Sequence, residues 1–299
     1  MIVSIVMSTY NGEKYILEQM ESIRLQTISP DEVIICDDCS TDSTPKIIQE
    51  YISKHSLTNW CFTINKNNLG WKKNFYNLID GCKGDLVFLA DQDDVWNKRK
   101  LELMIPCFND SKINVLTSKY IEKSKNLNLD YKCNIRKSIR KHNFASTFMW
   151  VQYPGCAYCF RKSYFDEMKQ WWRDFLPHDA FLYRNAIVDD SLYIINSNLI
   201  IHRVHDHNAG NPKSFTQSRD DLNYYFDVLH LLQKRMEEDA AFPENRKNLL
   251  SKAELWLLAR KEYYISGKTL DFMKLWQFIR FYPHVKSFIK EFFVTKITK

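Results

Sequence analysis

The stretch Gly84-Asp85-Leu86-Val87-Phe88-Leu89-Ala90-Asp91-Gln92-Asp93-Asp94-Val95-Trp96 decides the fold. Leu86 to Ala90 form a short continuous apolar run entered from a glycine, the pattern of a strand buried on both faces of its sheet. Asp91, Asp93 and Asp94 follow at once. These carboxylates stand where the strand leaves the sheet, and in open α/β sheets ligands bind outside the carboxyl ends of the strands. Like charges this close repel unless a cation or hydrogen-bond donors compensate. Hard divalent cations take oxygen ligands, and Mg²⁺ commonly uses one or two carboxylates together with substrate phosphates. The plainer reading of the same residues is a solvated acidic turn with Asp94 as a helix N-cap.

Toward the N-terminus the pattern repeats. Ile2 to Met7 is a first apolar run, closed by the breaker Asn11-Gly12. Glu13 to Gln26 carries apolar residues near helical spacing, at Ile16, Leu17, Met20, Ile23 and Leu25. Val33 to Cys36 is a second strand, ending in Asp37-Asp38; Ser40 or Asp42 can cap a helix over Ser43 to Tyr51. Cys61 to Ile64 is a third strand, and Trp71 to Ile79 a helix. Strands alternating with helices imply parallel pairing through right-handed crossovers. The expected class is α/β, a doubly wound, mostly parallel sheet. One sheet edge would then gather Ser8, Tyr10, Asp37, Asp38, Asp91, Asp93 and Asp94. A nucleotide suits such a cleft: Tyr10 can stack on a base, and carboxylates can accept hydrogen bonds from base N–H groups or ribose hydroxyls.

Ser8-Thr9-Tyr10-Asn11-Gly12, Asp37-Asp38-Cys39-Ser40-Thr41-Asp42, Asn68-Leu69-Gly70 and Asp91-Gln92-Asp93-Asp94-Val95-Trp96, in this order, resemble the family 2 glycosyltransferases. The resemblance covers about the first two-thirds of the chain. It implies the GT-A fold and sugar transfer from a nucleotide-diphosphate donor with inversion. By that resemblance Tyr10 and Asp38 hold the base, with Ser8 lining the same cleft. Asp91 would take the ribose, and Asp93 a Mn²⁺ or Mg²⁺ that bridges the diphosphate. Cys39 departs from the family, which commonly has Gly there.

Further along, Pro154-Gly155-Cys156 matches an acceptor-facing turn; an ordinary turn between buried segments is the alternative. Pro177-His178-Asp179 leads into a helical pattern, where inverting members place a catalytic Asp, usually as Glu-Asp. Here His178 replaces the Glu, as in the rhamnosyltransferase-like branch. Asp179 would take the acceptor hydroxyl proton, for which a base must lie within hydrogen-bond reach. Asp190 competes for that role, and a helix N-cap is the structural alternative for Asp179. His202 to Gly210 holds three His in six residues, a spacing that suggests metal ligation. It resembles an Arg-x-His-x-x-Asn-x-x-Gly segment closing over the donor, with Gly210 one residue early. The resemblance puts His205 at the metal or diphosphate and Arg203 at phosphate charge.

The chain has 299 residues, enough for one large domain or a domain plus an appendage. Only 7 are Gly, and neither a P-loop nor a Rossmann glycine pattern is present. No apolar run reaches the roughly 18 residues of a membrane span. The strand pattern at Met1 to Ser8 predicts that no signal peptide is present. The 8 Cys are then expected to stay reduced. Cys36/Cys39 and Cys156/Cys159 have zinc-like spacing, but they fall in apolar runs, where buried free Cys is common. Arg99 to Phe108 reads as a helix and Asn114 to Ile121 as a strand. Glu122 to Arg140 is a polar, basic surface loop. Leu192 to Ile195 and Leu199 to Ile201 read as two short strands.

Beyond Ser214 the pattern turns helical. Residues 260–299 hold nine Lys and Arg against three Asp and Glu, which accounts for the whole net charge of +6. A basic helix rich in aromatics can lie in a membrane interface; packing on its own domain serves the same pattern. The expected organisation is a catalytic domain over 1–214 and a helical C-terminal extension over 215–299. The expected activity is metal-dependent, inverting hexosyl transfer from a nucleotide-diphosphate sugar, with rhamnose first and galactose or glucose next. The acceptor would be a glycan, on a lipid carrier, in surface polysaccharide assembly. The expected location is cytoplasmic, peripheral on the inner face of the plasma membrane at an anionic surface, with no nucleic acid partner. A nucleotidyltransferase and a non-catalytic nucleotide- or glycan-binding module are the competing readings.

Overall fold

Val3–Thr9 (β1) is buried at every position, as a strand covered on both faces must be. It is the centre of a parallel array with Glu32–Asp37 (β2), Trp60–Ile64 (β3) and Leu86–Asp91 (β4), in the order β3-β2-β1-β4. Ile16–Arg24 (α1), Thr44–Lys54 (α2) and Trp71–Gly81 (α3) are the crossovers. The computed structural model describes residues 1–123, 138–205, 218–240 and 242–297. The chain forms two compact units, one of Met1–His142, Gln152–Ala186 and Asp190–Asp206, the other of Asn143–Val151, Ile187–Asp189 and His207–Lys299.

In the first unit the sheet continues beyond β4 as a mixed sheet. Its remaining strands are Val95–Trp96 (β5), Val115–Lys123 (β6), Ile139–Lys141 (β7), Tyr158–Arg161 (β8) and Leu192–Arg203 (β9). β8 lies antiparallel between β4 and β6, β6 runs parallel to β9, and β5 and β7 are antiparallel on β9. The helices are Lys100–Met104 (α4), Lys162–Met168 (α5) and His178–Val188 (α6). The α/β class and the parallel nucleotide-type half are as expected.

Two local expectations are corrected. The helix read over Arg99 to Phe108 stops at Met104, and Ile105–Asn109 tightens into a 3₁₀ turn around Pro106, which has no N–H to continue an α-helical ladder. The two strands read at Leu192 and Leu199 are one, β9. It is carried through polar Asn196-Ser197-Asn198 by register shifts against Ser118, Lys119 and Tyr120. The polar loop read at 122–140 falls largely outside the described residues.

The second unit is helical: Ser218–Glu238 (α7), Glu244–Ser266 (α8), Thr269–Lys274 (α9), a 3₁₀ segment Leu275–Phe281, and Val285–Ile297 (α10). α8 ends at Gly267, whose φ of 63° favours a residue without Cβ and lets its N–H bond Tyr263 O at 2.8 Å. Inside this unit Arg260 Nε donates to Glu291 Oε1 at 2.7 Å, and Tyr264 Oη donates to the same oxygen at 2.5 Å. Both charged residues are buried, so neither can be released to water if its partner is lost. Arg260→Met alone should therefore lower unfolding free energy by about 3–5 kcal/mol in urea titration, whereas Arg260→Met with Glu291→Leu should return most of it. Equal losses in the single and double variants would contradict a pair held by mutual compensation.

Candidate active site

The register of the parallel strands sets the site. Ser8 on β1 pairs with Asp91 on β4, and Thr9 pairs with Asp37 on β2. The polar strand ends thus stand side by side along one edge. Thr9 Oγ1 donates to Asp37 at 2.8 Å, and Ser40 binds the same carboxylate through its N–H at 2.8 Å and its hydroxyl at 2.6 Å. Asn74 Nδ2 donates to Ser8 Oγ at 2.8 Å.

Asp38 is buried, and its carboxylate accepts from Leu69 N, Gly70 N and Asn65 Nδ2, each at 2.8 Å. Both oxygens are engaged in shaping the Asn68-Leu69-Gly70 turn, where Gly70 takes a φ of 78°. Cys39 also adopts the left-handed region, with φ of 66°, where a Cβ is strained, and its thiol contacts Asn65 O at 3.0 Å. That is the physical reason a glycine suits the position.

Tyr10 projects its ring into solvent, while its backbone is clamped by Gln92: Tyr10 N donates to Oε1 at 2.8 Å, and Nε2 donates to Tyr10 O at 2.9 Å. The residue between Asp91 and Asp93 therefore positions the loop after β1. Nothing in the sequence pattern singled it out. Gln92→Ala should raise the donor KM about 10-fold with a smaller change in kcat, since two hydrogen bonds worth about 1 kcal/mol each order that loop. Unchanged donor KM in steady-state kinetics would contradict the clamp.

Asp93 and His205 meet directly, with Nε2 of the imidazole 2.7 Å from Oδ2. The His205 ring stacks on Tyr15 at 5.1 Å. Arg203 was expected at phosphate. The structure buries its side chain and sets the guanidinium against the Glu18 carboxylate and over the Tyr15 ring, 4.2 Å from its centroid. Arg203 Nε also donates to Asp93 O at 2.8 Å, and its backbone N to Asp94 Oδ1 at 3.0 Å. Arg203 thus ties the end of β9 to the acidic turn. His207 and Gly210 lie outside the described residues.

Beneath the turn, ligand atoms of Asp91, Asp94 and Cys156 fall within 4.8 Å of one another. Burial, then the charges of Asp93 and Asp179, push the Asp91 carboxyl up to about 7. Burial and the charges of Asp91 and Asp93 push Asp94 well above the usual carboxylate range, and its Oδ2 has no hydrogen-bond partner among the described residues. Burial and the same carboxylates hold the Cys156 thiol protonated. Lys100 is buried under this group: its ammonium lies 3.5 Å from the Trp96 ring centroid and donates to Cys156 O at 2.7 Å, and burial lowers it to about 7. The described cysteines are free, and the zinc-like Cys pairs form no four-sulfur group among the described residues.

These donors fit a hard divalent cation. Asp93 and His205 place an oxygen and an imidazole nitrogen close enough for one ion to take both. Asp91 and Asp94 stand beside them, their carboxyls raised by burial and by each other, and Asp94 Oδ2 has no hydrogen-bond partner among the described residues.

Asp179, in the first turn of α6, is half-buried and acts on Asp91 through its charge, which places it at the same edge. Gly155 is where a Cβ would come 3.1 Å from His178 Nε2 and 3.6 Å from Asp179 Cβ, so the turn before β8 lies against the start of α6. His178 stacks on Phe75 at 4.0 Å and meets the edge of Trp71 at 5.9 Å; neither ring nitrogen has a hydrogen-bond partner among the described residues. Asp190 sits past the other end of α6, at a φ of 58°, paired with Lys141 at 3.0 Å.

Burial lowers His178 to about 4. The unfolded chain titrates near 6.5, so between these values the unfolded state binds more protons and stability falls as pH falls. Going from pH 7 to 5 should cost about 2 kcal/mol through this residue. His178→Gln should flatten the pH dependence of urea unfolding by that amount; an unchanged slope would contradict the buried neutral imidazole.

The family model for glycosyl transferase family 2 matches residues 4–214. The chain belongs to glycosyl transferase family 2. This glycosyltransferase is 34% identical over 218 residues to the dTDP-rhamnosyl transferase RfbG of Shigella flexneri, covering 68% of this chain and 72% of that protein. It is 35% identical over 101 residues to the poly(ribitol-phosphate) beta-N-acetylglucosaminyltransferase TarS of Staphylococcus aureus, covering 33% of this chain and 17% of TarS. Its fold is similar to TarS 1-349 in complex with UDP-GlcNAc (TM-score 0.65, 17% identity, 91% of this chain and 77% of that one). It is also similar to a mannosyltransferase of Pyrobaculum calidifontis in complex with GDP-Man and Mn²⁺ (TM-score 0.57, 14% identity, 99% and 86%).

Proposed function

We propose that this glycosyltransferase moves a hexose, rhamnose in the first instance, from a nucleoside-diphosphate donor to a glycan hydroxyl with inversion at the anomeric carbon. The observation that carries the reading is the position of Asp179, near enough to the strand-end carboxylates for its charge to raise Asp91. A base and a diphosphate site at one sheet edge are what a single displacement needs. The acceptor oxygen bonds to the anomeric carbon as the bond to the diphosphate oxygen breaks. The acceptor proton passes to Asp179, and the nucleoside diphosphate leaves.

Tyr10, held by Gln92, offers its ring to the base, Ser8 and Asp91 face the nucleoside, and Asp38 shapes the turn beside it. Asp93 and His205, with Asp91 alongside, would hold Mn²⁺ or Mg²⁺. When bound there, such a cation neutralises the departing diphosphate. Gly155 and Cys156 form the acceptor-side turn, and Gly155 leaves the space into which His178 and Asp179 fit. The likeness to RfbG supports rhamnose and a thymidine nucleotide, with galactose and glucose as the next donors. A glycan on a lipid carrier, in surface polysaccharide assembly at the cytoplasmic face of the membrane, completes the reading.

The test is a panel of nucleotide sugars, reading released product. Nucleoside diphosphate released with dTDP-rhamnose above the other donors is expected. Pyrophosphate would mark a nucleotidyltransferase, and binding without turnover a non-catalytic module. Asp179→Asn, nearly isosteric but unable to take the proton, should keep donor binding and lose transfer by on the order of 10² or more. Loss in Asp190→Asn with transfer intact in Asp179→Asn would overturn the choice of base.

A further inference from the structure

The helical second unit carries an apolar face that its own fold does not cover. On α10, Val285, Ile289 and Phe293 recur every four residues on one side of the helix, and each is exposed, from 49% to 59%. The opposite side is spent on the interior. Phe288 stacks on Phe272 at 4.8 Å, Phe292 packs on it at 4.9 Å, and Glu291 forms the buried pair with Arg260. α9 and the 3₁₀ segment repeat the arrangement: Leu270, Met273 and Trp276 are 63–72% exposed while Leu275 is fully buried. Trp276 meets the buried Phe288 at 5.7 Å, which packs the 3₁₀ segment against the inner side of α10. A helix that only packs on its own unit turns polar residues outward, and apolar rows of this length mark an interaction surface.

Charge selects the occupant. Residues 260–299 carry +6, and since the whole chain carries +6, the remaining residues sum to zero. Lys286 and Lys290 each follow an exposed apolar residue of α10, and Arg280 lies between the two rows. A second copy meeting this face about a two-fold axis would set Arg280, Lys286 and Lys290 against the same cations of the other copy. A basic rim around aliphatic and indole side chains instead matches the interfacial zone of an anionic bilayer, where apolar residues enter the acyl boundary and Lys and Arg meet headgroups. Among the described residues no helix is long and apolar enough to cross a membrane. We propose that the outer face of α9, the 3₁₀ segment and α10 docks on an anionic lipid surface, lying on it in the plane of the interface.

The experiment is co-sedimentation of the full chain with vesicles of phosphatidylglycerol and phosphatidylcholine, and of phosphatidylcholine alone. Binding to the anionic vesicles at low salt, release at high salt and little binding to neutral vesicles are expected. Lys286→Ala with Lys290→Ala should weaken partitioning on the order of 10-fold or more. Ile289→Glu with Phe293→Glu should abolish it while circular dichroism and donor turnover stay unchanged. If that pair fails to fold, brominated lipids give a second readout: they should quench wild-type fluorescence more than that of Trp276→Phe. Equal binding to neutral and anionic vesicles, no binding to either, or a wild-type dimer that Ile289→Glu makes monomeric in light scattering would each overturn the proposal. None of these readouts depends on which sugar is transferred.

Discussion

Three carboxylates at the end of one buried strand repel each other, and the catalytic unit is arranged around holding them in place. Asp94 is fixed by the backbone N–H of Arg203, Asp93 by His205, and the turn's carbonyl by the Arg203 guanidinium. Arg203 is itself neutralised by Glu18 at the start of α1. The site is thereby made from three separated parts of the chain: the first crossover helix, the end of β4 and the end of β9. Burial, and then the charges of their neighbours, raise the carboxyls of Asp91 and Asp94, so both are costly to ionise without a compensating cation. A diphosphate brings more of the same sign, so a cation with unmet coordination is the natural partner of both.

The turn at Gly155 and Cys156 follows from how β8 enters the sheet. Its antiparallel insertion beside β4 brings Gly155 and Cys156 under the acidic turn, where Lys100 fastens them through Cys156 O. The same turn receives the start of α6, because Gly155 leaves room for His178. A neutral imidazole beside Asp179, in place of a second carboxylate, adds no further negative charge to a crowded edge. Asp179 and the strand-end carboxylates are thus placed by one packing arrangement.

The parallel half of the fold was legible because its signals are local: Leu86 to Ala90 into Asp91, and Val33 to Cys36 into Asp37, read as buried strands with polar ends. The mixed half was legible only in part: Asn114 to Ile121 read as the strand that is β6, but the rest was not. β5 and β7 span only two and three residues and exist through their pairing with β9, while the polar Asn196-Ser197-Asn198 disguised one strand as two. Motif order points to Asp91, Asp93 and Asp179, which the fold brings to one sheet edge, but side-chain contacts with distant partners stayed hidden. Asp38 reads as a nucleotide ligand and is bonded to its own neighbouring turn. Arg203 reads as a phosphate ligand and is a buried anchor. Gln92, inside the acidic motif, and Lys100, outside any motif, were given no role by the sequence; only the fold brings them to Tyr10 and Cys156.

The central claim is that the strand-end carboxylates and His205 hold one cation together with the donor diphosphate. Electron paramagnetic resonance of Mn²⁺ titrated into the protein, with and without nucleoside diphosphate, tests it most directly. The account predicts one bound Mn²⁺ per chain, tightened by the nucleotide and lost in Asp93→Ala while circular dichroism is unchanged. Nucleotide binding indifferent to Mn²⁺, or Mn²⁺ binding that survives Asp93→Ala undiminished, would contradict it.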